Sequence, residues 1–265
     1  MIEIVAEIGV NHNGNLRTAM KLISSAAEAG ASTCKFQVFS PALSFDGDVQ
    51  LLKTLQATQL GPKDLEDLRD ECSRVGVAFL CSAFDRPSID LLVQMGETRV
   101  KVPSSRSTVA PYLEYLVNQP FFSVIFATGA CDYDDLINAR CVFQSRHYVE
   151  VECVSAYPCD PRSFVLPNTR SVVWPFGLSD HSSSWEACIA AVARGACYIE
   201  KHFTLSYDQE GPDHKASLLP ATFKEMVGEI RNVEAMLLNM RKKPLEVELG
   251  TMMRNRRHDT IQYRG

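Results

Sequence analysis

Five ionisable residues stand out because each lies in or at the end of a short apolar run. Glu7 sits within EIVAEIG, Lys35 within TCKFQV and Lys101 within TRVKV, while His181 follows FGLSD and His202 ends ACYIEKH. Taking an unpaired charge out of water costs several kcal/mol or forces neutralisation. Taken singly, each residue has a plain reading: a hydrogen-bonded histidine, or a strand lysine paired with a nearby glutamate. As a set, they point to a charged ligand that satisfies them. Two imidazoles on neighbouring strand ends can share a borderline divalent metal, with oxygen ligands from carboxylate, water or substrate. Lys35 and Lys101 are point charges that, with the hydroxyls of Ser82 and Ser104, suit a phosphate. A metal beside a phosphate site suggests Lewis-acid activation of a carbonyl near a phosphorylated partner.

Such groups converge only if the elements that carry them do. The chain alternates apolar runs with amphipathic segments. Strands are expected over Ile2–Ile8, Ser32–Phe39, Val77–Ala83, Thr98–Val102, Phe122–Thr128, Tyr148–Ser155, Val172–Leu178 and Cys197–His202. Helices are expected over Leu16–Ala29, from near Lys63, and over Ser88–Met95, Pro111–Val117, Tyr133–Val142, Trp185–Arg194 and Pro220–Met240. Eight strands, each followed by a helix, predict a parallel α/β fold. Gly9 and Gly14 are wrongly spaced for a dinucleotide-binding turn after the first strand, which favours a closed (β/α)8 TIM barrel over an open sheet. A barrel keeps its chemistry at the carboxyl ends of its strands. There lie Glu7, Lys35 with Gln37 two residues on and so on the same face, Ser82, Lys101 and Ser104. Ser155 and Tyr157 follow strand six, Asp180 and His181 follow strand seven, and Asp213 and His214 lie in the loop beyond His202. Closure makes strand one the neighbour of strand eight, so Glu7 is expected near both histidines.

The 265 residues suit one barrel domain, expected over residues 1–240, with an irregular basic tail over 241–265 that includes Arg254, Arg256, Arg257 and Arg264. A net charge of −5 gives no electrostatic reason to expect nucleic acid as a partner. The nine cysteines form no C-x-x-C pair and read as reduced, buried thiols. No basic-then-apolar leader follows Met1, and no apolar run reaches the roughly 18 residues that span a bilayer. The expectation is a cytoplasmic protein without a membrane partner.

Several stretches resemble the sialic acid (N-acetylneuraminate) synthase family: AEIGVNHNG (Ala6 to Gly14), KFQVF (Lys35 to Phe39), VSAYP (Val154 to Pro158), GLSDHSSSWEACIAAVARGACYIEKHFTL (Gly177 to Leu205) and GPDHKASL (Gly211 to Leu218). The resemblance runs from about Ile2 to Met240, with every piece in family order. It implies an enzyme that joins phosphoenolpyruvate to the open-chain aldehyde of an N-acetylated hexosamine, such as N-acetylmannosamine, and releases phosphate. It implies His181 and His202 as ligands of a divalent metal, manganese with magnesium or cobalt as alternatives. It implies Glu7 as a catalytic carboxylate near metal and sugar. Lys35, Ser82, Lys101 and Ser104 match phosphoenolpyruvate-binding positions, and Ser155 stands where the family has Asn or Ser. Gln37, Tyr157 and Asp213 match groups that hold the sugar.

The chain departs from the family pattern in places. A usual Lys-Ile-Gly-Ser-Gly-Glu run reads Lys101, Val102, Pro103, Ser104, Ser105, Arg106, which removes two flexible glycines and reverses a charge. Ala127 stands for a serine, and Glu152 for a usual histidine. Family members continue into a small antifreeze-like domain that caps the partner subunit's barrel. That domain would begin about where this chain stops at Gly265, so a piece of a longer protein, a separate capping domain and a natural variant with altered substrate are all open; a homodimer of barrels is a further expected arrangement. Two other functions fit the residues: a catalytically impaired relative that binds sugar or phosphate ligands, and a Schiff-base aldolase using Lys101 or Lys35, which needs a lysine of depressed pKa.

Overall fold

Short runs rich in β-branched and aromatic residues form eight strands in a computed structural model, which describes residues 1–40, 53, 55–167 and 174–238. They are β1 (Glu3–Gly9), β2 (Thr33–Val38), β3 (Ala78–Ala83), β4 (Arg99–Val102), β5 (Ser123–Ala127), β6 (His147–Cys153), β7 (Phe176–Asp180) and β8 (Tyr198–His202). Every strand pairs in parallel with the next, and β8 pairs with β1, so the sheet closes into the expected barrel. The expected strands all form, with ends shifted by a few residues. Residues 172 and 173 of the seventh lie outside the described residues.

Helices cover the outside: α1 (Leu16–Glu28), α2 (Pro62–Val75), α3 (Arg86–Gln94), the single turn α4 (Ser104–Ser107), α5 (Ala110–Val117), α6 (Tyr133–Phe143), α7 (Glu186–Ala193) and α8 (Pro220–Leu238). Their starts are written in the sequence. The side chains of Asn15, Asp85 and Asp132 accept from backbone N–H groups in the first turns of α1, α3 and α6. Pro62 opens α2, and Gly76 ends it at φ 83°, a left-handed conformation that suits glycine. One expectation fails. Between β6 and β7 the described residues hold only a 3-10 turn at Pro161–Ser163, where a helix after every strand was expected. Pro158 and Pro161 interrupt the segment, and proline lacks the N–H that a helix interior requires.

Strand alternation divides the core in two. Outward residues such as Ile4, Phe36, Val100, Phe126 and Ile199 pack under the helices in the larger cluster. Inward residues Val5, Leu80, Ile125, Val149, Val151 and Tyr198 fill the barrel's middle. Below that apolar layer, Arg99 grips both carboxylate oxygens of Glu3 at 2.9 and 2.7 Å, and Thr33 donates to the same carboxylate at 2.7 Å. At Gly177 a side chain would collide with the next strand, because a Cβ there would lie 2.5 Å from the Tyr198 carbonyl oxygen.

All nine cysteines are free, but not all are buried: Cys141 and Cys197 are exposed. Among the described residues no helix is long and apolar enough to cross a membrane. The chain divides into a compact unit, Met1–Glu234, and a second, Ala235–Gly265. The basic stretch expected over 241–265 lies outside the described residues.

Candidate active site

Register brings the singled-out residues together. Glu7 is level with His202 on one side and Lys35 on the other. Gln37 is level with Ser82, and Ser82 with Lys101. All six point into the barrel above its apolar middle. They line a cavity of about 320 Å³ at the carboxyl ends of the strands, together with Ser104, Ser155, Tyr157 and His181. Of the residues expected to bind substrate or metal, Asp213 alone lies off this lining. It sits on the loop after β8, with Oδ2 3.7 Å from His202 Nδ1.

The cavity floor is a set of four buried charges. Lys35 Nζ lies 2.8 Å from Glu7 Oε2 and 3.6 Å from Glu200 Oε1, and donates to Ser82 Oγ at 2.9 Å. Lys101 Nζ donates to both oxygens of Glu200, at 3.1 and 2.9 Å. Glu200 also accepts from Ser179 Oγ at 2.7 Å and from Tyr198 Oη at 2.5 Å. Gln37 Nε2 donates to Glu7 Oε1 at 3.0 Å. Burial works against the Glu200 carboxylate, but Lys101 and Lys35 outweigh it and hold its pKa well below the usual range. Burial likewise opposes the Lys35 ammonium, and the carboxylates of Glu200 and Glu7 overcome it, so its pKa is raised. Glu7 goes the other way: burial pushes its pKa up, and Lys35 only partly offsets this.

Glu200 and Ser179 are polar cavity residues that the sequence reading missed. Tyr198, Glu200 and His202 are spaced two apart and so share one strand face. That spacing was the available signal. Asp180, expected near the active face, instead points outward, because it alternates with the inward His181. His214 also stays away from the cavity, held between Thr204 Oγ1 at 2.8 Å and the Glu210 carbonyl at 3.2 Å.

The imidazoles stand beside the floor with ring centroids 5.4 Å apart. Tyr157 stacks on His181 at 4.2 Å and meets His202 edge-on at 5.7 Å. His181 Nδ1 is 2.7 Å from the Val154 carbonyl oxygen, so this nitrogen carries the proton and Nε2 keeps its lone pair, 3.3 Å from Ser179 Oγ. Nδ1 of His202 is buried without a hydrogen-bond partner in the described structure. Burial lowers His181 to about 4, and burial with the neighbouring His181 pushes His202 well below its ordinary value. Both rings are therefore held neutral, the form that ligates metals. An orphaned ring nitrogen and a fixed tautomer fit a divalent ion. Among the described residues no group of three or more His, Cys, Asp or Glu side chains could hold one, so oxygen from water or ligand would complete the shell. Burial, then the charge of Glu7, raises the Asp213 carboxyl to about 7.

The departures from the family pattern fall unevenly. Pro103, Ser105 and Ala127 line the cavity, but Arg106 is not part of its lining. Ser104 Oγ and Ser155 Oγ meet at 2.9 Å across the rim. Glu152 faces away and accepts from Thr128 Oγ1 and the Val165 N–H, tying the following loop to the barrel.

Comparison with known proteins identifies relatives of the whole barrel. The NeuB family model matches residues 22–242. An N,N'-diacetyllegionaminic acid synthase of Legionella pneumophila is 33% identical over 98% of this chain and 80% of its own length. The human N-acetylneuraminate-9-phosphate synthase is 28% identical over 93% of this chain and 74% of its own length. A crystal structure of N-acetylneuraminic acid (sialic acid) synthetase from Leptospira borgpetersenii, in complex with citrate, superposes with a TM-score of 0.86. It is 26% identical and aligns over 99% of this chain and 91% of that one.

Proposed function

Because the chain belongs to the NeuB family, we propose that it condenses phosphoenolpyruvate with the open-chain aldehyde of an N-acetylated hexosamine to give a sialic-type nonulosonic acid and phosphate. The observation that carries the reading is the cavity itself, where two lysines and two carboxylates form a buried floor beside two neutral imidazoles. Lys35 and Lys101, with Ser82, Ser104 and Ser155, hold the phosphate and carboxylate of phosphoenolpyruvate. Gln37, Tyr157 and Asp213 orient the sugar, and Glu7 lies between the two substrates. A divalent ion, manganese by family resemblance, would be held by His181 and His202 and would polarise the aldehyde oxygen. The alkene carbon of phosphoenolpyruvate attacks the aldehyde carbon, water adds to the resulting cation, and phosphate leaves by C–O cleavage. The charges of Glu7 and Glu200 lie beside that cation and favour it electrostatically.

A Schiff-base aldolase fits less well. It needs an amine that deprotonates easily, whereas Lys35 is held charged by two carboxylates and Lys101 is bonded to both oxygens of Glu200.

The test is phosphate release from phosphoenolpyruvate by the full chain with Mn²⁺, across a panel of N-acetylated hexosamines. Sugar-dependent release that EDTA abolishes is the expected result, and it names the substrate. Ligand binding without release would leave a catalytically impaired relative. Borohydride trapping of a keto substrate would move the assignment to an aldolase.

A further inference from the structure

The outward faces of β7 and β8 carry a second buried ion pair, which takes no part in the cavity. Asp180 and Lys201 are level across the two strands, and both side chains are 0% exposed, with Nζ 3.2 Å from Oδ1. Each holds one backbone group of Ser182. Asp180 Oδ1 accepts from the Ser182 N–H at 2.7 Å, and Lys201 Nζ donates to the Ser182 carbonyl at 2.5 Å. From α7, the Cys188 thiol donates to Asp180 Oδ2 at 3.3 Å, so the pair is closed off on the helix side as well.

The placement of this clamp in sequence gives it a consequence inside the barrel. His181 lies between Asp180 and Ser182, and His202 directly follows Lys201. The residues on both sides of one imidazole are thus bonded to the residue before the other. A buried ion pair is a poor way to gain stability alone, since apolar residues of similar volume usually serve as well or better. Its directional bonds do fix geometry.

We infer that Asp180 and Lys201 are positioning residues that set the separation and orientation of the His181 and His202 rings for a shared divalent ion. This rests on the proposed assignment of those imidazoles as metal ligands. The clamp acts through the backbone at Ser182 and at Lys201–His202, on the side of the sheet away from the ligand. Removing it leaves both imidazoles in place but frees their relative position.

The experiment measures Mn²⁺ affinity by equilibrium dialysis, and the electron paramagnetic resonance spectrum of bound Mn²⁺, on the full chain. It compares wild type with the double variant Asp180→Leu/Lys201→Met, which removes both charges together and leaves neither orphaned. His181→Ala and His202→Ala serve as controls. The double variant is expected to keep its circular dichroism spectrum but to bind Mn²⁺ about tenfold to a hundredfold more weakly, the range lost with outer partners of metal-ligating histidines, and with an altered spectrum. Wild-type affinity in the double variant, with binding lost in both alanine controls, overturns the clamp and leaves the ligand assignment standing. Wild-type affinity in the alanine controls, or no Mn²⁺ binding by wild type, overturns the ligand assignment and the clamp with it. If the double variant does not fold, Asp180→Asn decides on the same two readouts. It keeps an acceptor for the Ser182 N–H but loses the ionic bond to Lys201 and replaces the oxygen that accepts from the Cys188 thiol with a donor, so two of the clamp's bonds are weakened, and an unchanged affinity and spectrum there also overturn the clamp.

Discussion

Lys101→Met is the sharpest probe of the cavity floor. It keeps the apolar stem and deletes one ammonium from a site where Lys101 and Glu200 are 3% and 4% exposed. At an effective dielectric constant of about 20, a unit pair at the observed 2.9 Å carries roughly 6 kcal/mol of Coulomb energy. Lys35, at 3.6 Å from the same carboxylate, retains roughly 5 kcal/mol by the same rule. About half the counter-charge therefore goes, while Ser179 and Tyr198 continue to donate. The desolvation cost of the lost ammonium goes too. Breaking one side of a buried pair costs about 3–5 kcal/mol in general, and the surviving partners put this case near about 3 kcal/mol. Urea unfolding, followed by fluorescence and by circular dichroism to check that one transition is being read, would give the number. The pH dependence has a definite sign. In wild type the depressed Glu200 pKa makes its ionised form stabilising at neutral pH, a contribution lost only in strong acid. In the variant burial regains the upper hand and the pKa rises, so the ionised carboxylate becomes a cost that protonation relieves. The gap between the two proteins must narrow as pH falls toward the ordinary carboxylate range. A variant within about 1 kcal/mol of wild type at pH 7, or a gap that widens in acid, would refute the buried-charge account of the floor.

Two further outcomes follow from features away from the floor. Burial pushes His12 down to about 4, from an ordinary value near 6.5. Its neutral form thus contributes stability above the ordinary value that is lost as pH falls toward 4, roughly 3 kcal/mol in all. His12→Asn is expected to flatten that part of the acid limb in a series of urea midpoints from pH 7 to 4, and an unchanged limb counts against it. Gly177→Ala places a methyl 2.5 Å from the carbonyl of Tyr198, a backbone group with no rotamer to yield. The expected cost is about 1–3 kcal/mol, read as a lower urea midpoint, and a neutral result would mean that β7 and β8 part more easily than their packing implies.

Much of the fold was legible because strands and helices leave different periods in the chain. In the structure Asn15, Asp85 and Asp132 cap helices close to the starts that this periodicity led us to expect. The prolines at 158 and 161 also carried the warning that the β6–β7 connection would not be an ordinary helix. At the site, the inward set from Glu7 to His202 could be found from strand ends alone. Two things could not. Asp180 and His181 are adjacent polar residues at one strand end, and only barrel closure decides which of them faces the cavity. Glu200 binds Lys101, 99 positions away, a pairing that exists only once β4 and β8 face each other across the closed barrel.

The sealed lower half of the barrel governs traffic. Beneath the lysines lie an apolar plug and the Glu3–Arg99 bridge, so among the described residues the cavity opens toward the strand ends, where half-exposed Tyr157 stands. In the proposed condensation two reactants would share that opening and would have to queue. Whichever was anchored at the lysines would have to enter first, and its remnants would have to leave after the molecule held nearer the entrance. Order of binding would then be a property of the architecture, fixed by depth before any difference in affinity is considered.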